Sequence, residues 1–169
     1  MFMSNGLFTY AQIANQSCHL LTINRSRDAD IISYELNIND KGNIDLQNPI
    51  HIYWLRQTEQ NQKEPLTWIQ NKYAYGIKFI EGNNTQVDTN TNSVLKFQFV
   101  SYNKATLEVR KQFDNTYKIF TVFDTQEIEV SNIYIQFNGG TFWVPIITEV
   151  KINGIKPYSG DLISAVINP

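Results

Sequence analysis

The chain has 169 residues, 42% hydrophobic and 13% aromatic, and its 14 Lys and Arg nearly balance 16 Asp and Glu for a formal charge of −2. That length suits one domain that buries roughly 70% of its unfolded surface without a disulfide or a metal, and the apolar content excludes a disordered chain. The charges are scattered and form no basic stripe, so nucleic acid is not an expected partner.

One cysteine, Cys18, allows no internal disulfide, and with only His19 and His51 beside it no Cys/His zinc site can be completed. No metal and no cofactor are expected. No apolar run approaches the ~20 residues that span a bilayer, so no transmembrane segment is expected. The opening MFMSNGLFTYAQIANQS lacks a basic n-region and a long apolar core, which predicts a cytoplasmic protein as written. An envelope location is the alternative if an export signal has been trimmed.

Residues 1–17 mix Asn, Ser and Gln with Phe2, Leu7, Phe8, Tyr10 and Ile13 and read as an N-terminal arm or a segment capping the core; residues 18–169 read as a single barrel-like domain. His19 to Asn24 suits a strand, and the charged patch Arg25 to Asp30 suits a solvated loop. Ile32, Tyr34, Leu36 and Ile38 alternate with polar residues, which places four apolar side chains on one face of a strand. Asp40 to Asn43 then gives a tight turn. In Ile50 to Arg56 bulky residues fall on both faces, with Ile50, Ile52, Trp54 and Arg56 on one and His51, Tyr53 and Leu55 on the other, so this strand is expected to be covered on both sides.

Gln57 to Lys63 reads as a solvent loop. Thr67 followed three residues later by Gln70 makes a capping box for a short helix from about Trp68 to Tyr73, because the hydroxyl and the amide each satisfy an orphan backbone N–H. So short a helix melts in isolation, so packing of Trp68, Ile69 and Tyr73 onto the sheet is expected to hold it. Gly76 releases the chain into a strand near Ile77. After a polar loop at 82–92, a meander of antiparallel strands follows over 94–102, 105–113, 117–124 and 127–137, with Ile128, Val130 and Asn132 sharing one face. Asn138-Gly139-Gly140 and Asn153-Gly154 read as turns, Pro145 as a break in the strand that follows, and Asp161 to Ile167 as a last strand. Edges in so small an all-β domain are best removed by closure. The fold expected is therefore all-β: an antiparallel barrel of about eight to ten strands, calycin-like in outline, with one short helix. A two-sheet sandwich is the alternative.

Three stretches carry a family resemblance: LLTINRSRDADIISYELNINDKGNIDLQNPIHIYWLR, LTWIQNKYAYG and the closing INGIKPYSGDLISAVINP. They resemble a bacterial family of single-domain proteins catalogued as a domain of unknown function, the specific part being a Tyr-Trp strand followed by a short helix that ends Ala-Tyr-Gly. Members of that family often begin with an export signal, which this chain lacks. The resemblance implies one domain from about Leu20 to Pro169, and no activity or catalytic residues.

No nucleophile elbow, Walker lysine loop, dinucleotide glycine fingerprint or two-histidine zinc helix occurs. Cys18 and His19 are neighbours in a strand and point to opposite faces, which leaves the thiol without a base. An enzyme is thus the least favoured reading. His51, Tyr53, Arg56, Trp68, Tyr73 and Tyr75 crowd into 25 residues around Trp54, and are the expected ligand-binding set if strand and helix converge at one end of the barrel. Arg56 either meets water at the strand end, pairs with an acid or faces an anionic ligand. A barrel of about eight strands is either filled by side chains or holds one small ligand. The expected function is non-enzymatic binding of a small apolar or amphipathic molecule in a cavity on the order of a few hundred Å³, with Arg56, Tyr53 or Tyr75 at its mouth. A protein–protein interaction or structural module with a filled core, such as a homodimer, is the alternative.

Overall fold

The computed structural model describes residues 16–80, 93–140 and 145–168. The expected arm over 1–17 and the loop at 82–92 lie outside the described residues, except that Gln16 and Ser17 open the first strand. In chain order come β1 (Gln16–Arg25), β2 (Asp28–Ile38), β3 (Ile50–Arg56), β4 (Gln62–Pro65), α1 (Trp68–Gln70) continued by a π turn (Asn71–Tyr75), and β5 (Ile77–Phe79). They are followed by β6 (Ser93–Phe99), β7 (Tyr102–Lys111), β8 (Tyr117–Phe123), β9 (Gln126–Gly140), β10 (Pro145–Ile155) and β11 (Leu162–Ile167). All join one 11-stranded sheet, curled into a half-barrel, so the all-β, barrel-like expectation holds.

The curl originates at β9. One edge of this long strand is taken along its length by β10, antiparallel. The other edge is shared: β8 pairs with Gln126 to Glu129 antiparallel, and β1 pairs with Asn132 to Ile135 in parallel. Two leaves therefore fork from one strand, β1-β2-β3-β4 and β8-β7-β6-β5. Their apolar faces meet: Tyr34 of the first leaf packs edge-on against Phe99 of the second with centroids 5.7 Å apart, and Tyr34, Phe97, Leu21, Ile32 and Leu36 are sealed from solvent. Burying so many Ile, Leu and aromatic side chains supplies the main driving force for the fold.

Several local expectations are corrected. The parallel β1–β9 pair was not legible, since short connections announce antiparallel neighbours only, and the ladder is a curled sheet with β4 and β5 at its ends rather than a closed ring. The charged patch is a tight hairpin, not a loop: β1 runs to Arg25, Ser26 and Arg27 turn with Arg27 at φ 68°, and Asp28 to Asp30 already belong to β2. Gln57 to Lys63 is not a free loop either. A 3-10 turn at Gln57–Glu59 leads into β4, an edge strand whose Lys63 and Glu64 are anchored by charges on the neighbouring strands.

Gly139 and Gly140 lie within β9, and residues 141–144 lie outside the described ones. Asn153-Gly154 is not a turn but the interior of β10, at a bulge. There Asn153 pairs with Asn132 while Gly154 pairs with Val130, leaving Ser131 as the extra residue of β9. Gly154 is required by close approach, because a Cβ on it would lie 2.0 Å from the Glu129 carbonyl oxygen. The bulge also shifts the alternation of β9. Ile128 and Val130 are buried, Asn132 is not on their face, and burial resumes at Ile133. Asn132 instead accepts from Asn153 Nδ2 at 2.8 Å, and Ser164 Oγ donates to Asn153 Oδ1 at 2.7 Å, so the bulge's polar groups are satisfied.

Candidate functional site

The short helix begins as its sequence demands. Thr67 Oγ1 accepts from the Gln70 N–H at 3.3 Å while Gln70 Oε1 accepts from the Thr67 N–H at 2.9 Å, a reciprocal capping box. Gln70 Oε1 also accepts from the Trp54 indole Nε1 at 3.2 Å, which ties the helix to β3. The expected packing residues are not the ones used. Trp68, Ile69 and Tyr73 are 68%, 44% and 59% exposed, and Leu66 and Tyr75 at the two ends of the segment pack on the core instead. A segment this short contacts the sheet where the chain enters and leaves it, which period-3.6 reasoning over Trp68 to Tyr73 does not see. At its exit Gly76 is obligatory for space, since a Cβ there would sit 1.8 Å from the Asn71 carbonyl oxygen.

Tyr75 is therefore delivered inward. Its ring meets Trp54 edge-on at 5.8 Å, its hydroxyl accepts from Arg25 Nη1 at 3.1 Å, and its carbonyl accepts from the buried Tyr34 hydroxyl at 2.5 Å. Burial pushes the Tyr34 phenol well above its ordinary range, so it remains a neutral donor.

Tyr75 forms one wall of a cavity of about 350 Å³ at the fork where β8 and β1 part from β9. Ile23 of β1, Val130 and Ile133 of β9, Ile152 of β10 and Leu107 of β7 line its depth. The exposed Ser101, Asn103 and Lys104 mark the mouth at the start of β7. Well-packed interiors leave few voids larger than a water molecule, so a partly open space of this size needs small side chains along its walls. One contributor is Ala105, which shares the inward face of β7 with Leu107 and Val109 but stops at a methyl group. An alanine in that register is the signal that the sequence carries for the cavity. Two of the lining hydroxyls donate to backbone carbonyls, Thr121 Oγ1 to Thr106 at 2.9 Å and, at the mouth, Ser101 Oγ to Ala74 at 2.6 Å.

Of the six residues expected to bind a ligand, Tyr75 alone lines this cavity. Tyr53 is buried on the outer face of the β2-β3-β4 leaf, its hydroxyl donating to Glu35 and its ring covered by Lys63 Nζ at 4.4 Å from the centroid. His51 is exposed beside Tyr53, with centroids 5.1 Å apart, and lines two shallow surface grooves. Arg56 takes the acid-pairing alternative. Its Nη1 lies 2.9 Å from Asp30 and its Nε 2.5 Å from Glu64, and the hydrogen bond from Arg56 holds the Asp30 carboxyl below its ordinary range. Trp68 and Tyr73 form an exposed edge-on pair at 6.0 Å, with Lys72 Nζ 4.6 Å from the Trp68 ring. The Cys18 thiol is not paired with the His19 ring: His19 Nδ1 lies 3.4 Å from Ser33 Oγ, and the thiol donates to the His19 carbonyl. Among the described residues no group of three His, Cys, Asp or Glu could hold a metal ion, and no helix is long and apolar enough to cross a membrane.

The sequence profile of the family described as Domain of unknown function (DUF4833) matches residues 21–165. The chain belongs to the DUF4833 family. The match starts inside β1 and ends inside β11, so the DUF4833 domain takes in both leaves, the helical segment and every described cavity-lining residue but Ile167. No curated protein and no solved structure matches the chain.

Proposed function

We propose that this protein binds a small apolar or amphipathic molecule without transforming it. The cavity of about 350 Å³ carries the reading, because its size falls in the range of ligand pockets and its depth is lined by branched aliphatic side chains. Tyr75, one of the three residues expected at the mouth, supports it from the sequence side. The neutral fluorophore N-phenyl-1-naphthylamine tests it. Saturable binding near one equivalent is expected, and Ala105→Trp, which fills the space beside Leu107, is expected to abolish it while thermal unfolding stays cooperative. An unsaturable signal, or binding left intact in a folded Ala105→Trp protein, overturns the reading.

A separate observation favours a second reading, a contact between proteins. Trp68, Ile69 and Tyr73 are large side chains held outward by a capped helix, a cost that an interface would offset. If a second copy is the occupant, light scattering reports a dimer that Trp68→Ala dissociates; a monomer at all concentrations removes the homodimer.

A further inference from the structure

We infer that the molecule held in the cavity is an aliphatic chain with an anionic head, such as a medium-chain carboxylate, whose head sits at Lys104; this rests on the binding reading above. Lys104 is the one charged side chain among the described residues that line the cavity, and no acid faces it there. On the same leaf Lys96, Arg110 and Lys118 are each held by a carboxylate of Glu108, Glu127 or Glu129, whereas Lys78 and Lys111, which lie away from the cavity, are like Lys104 without an ion pair among the described residues. Lys104 makes no ion pair among the described residues, although it stands exposed at the cavity mouth beside Asn103. A cation with no carboxylate partner among the described residues, at the rim of an apolar cavity, is placed for a charge supplied from outside.

The depth of the cavity decides the rest of the ligand. Apart from Thr121, whose hydroxyl proton goes to the Thr106 carbonyl, the depth is lined by Ile23, Leu107, Val130, Ile133 and Ile152, so a sugar or nucleotide body would leave most of its polar groups unmatched there. A methylene chain has none to match. An apolar cavity of ~150 Å³ accepts benzene, and by that measure the present volume of about 350 Å³ accommodates roughly a dozen carbons.

Competition against the naphthylamine dye at low ionic strength tests this with decanoate, 1-decanol and decylammonium on the full chain. Decanoate is expected to displace the dye at roughly three- to tenfold lower concentration than 1-decanol, and decylammonium to be weakest. Lys104 is exposed and is not part of the hydrophobic core cluster, so Lys104→Gln should fold normally. It is expected to bring decanoate to the level of 1-decanol while leaving 1-decanol and the dye unchanged, and added salt should erode the wild-type preference. Equal displacement by the three, or a decanoate preference that survives Lys104→Gln, overturns the assignment of the head group but leaves the binding reading standing. Absence of dye binding and of displacement by any of the three overturns both.

Discussion

Trp54 shows how much one side chain in this protein joins together. Its indole is buried, donates to Gln70, and has Arg25 and Arg56 against it with guanidinium carbons 4.4 and 5.1 Å from the ring centroid. It thus links β1, β3 and the helical segment through dispersion, a hydrogen bond and two cation–π contacts. Trp54→Ala is expected to cost about 3–5 kcal/mol in urea unfolding; a loss below about 1 kcal/mol would mean that Trp54 does not join these elements. Glu35 gives a pH dependence. Burial pushes its carboxyl up, but hydrogen bonds from Tyr53, Lys63 and Ser17 together outweigh burial and leave it below its ordinary value. A carboxyl whose folded value is depressed contributes stability that is complete above the unfolded value and is lost as pH falls through the folded one. Stability should therefore decline below about pH 4.5. Glu35→Gln, compared with wild type in thermal melts, should flatten that decline, and an unchanged acid limb would exclude Glu35 as its source.

At the level of elements, legibility depended on whether a signal was local. The capping box, the alternation of β2 and the β6-to-β9 meander are written in neighbouring residues, and each was read correctly. The bulge in β9 was not, because Ser131 becomes the extra residue only against the register of β10, while the glycine that permits it sits on the other strand. Gly154→Ala should accordingly destabilise by about 1–3 kcal/mol, as overpacking against backbone does. An unchanged urea midpoint would show that β9 can yield there. Of the candidate site, Tyr75 is the one lining residue among the six expected, for the same reason. Tyr75 could be named from its place after the helix, but the walls opposite it come from β7, β9 and β10, whose proximity is a product of the fork. The helical segment ties cap to cavity: Thr67→Ala should cost about 1 kcal/mol and weaken dye binding by loosening Tyr75. Full affinity in that variant would show that the wall stands without its cap.

For the molecule as a whole, all-β character followed from period and curvature from the need to protect edges, whereas connectivity did not. Alternation tells a strand which face is dry but not which partner lies beside it, so β1 joining the distal half of β9 in parallel was beyond reach. That seam joins Thr22 to Asn132, positions more than a hundred residues apart along the chain. During synthesis the first strand must therefore wait, its polar edge unclaimed, until most of the polypeptide has been made. Closing so long a loop costs entropy before any contact compensates, which places refolding in the millisecond-to-second regime. Stopped-flow tryptophan fluorescence after dilution from urea would measure it, and completion in microseconds would mean that the two ends find each other by some shorter route.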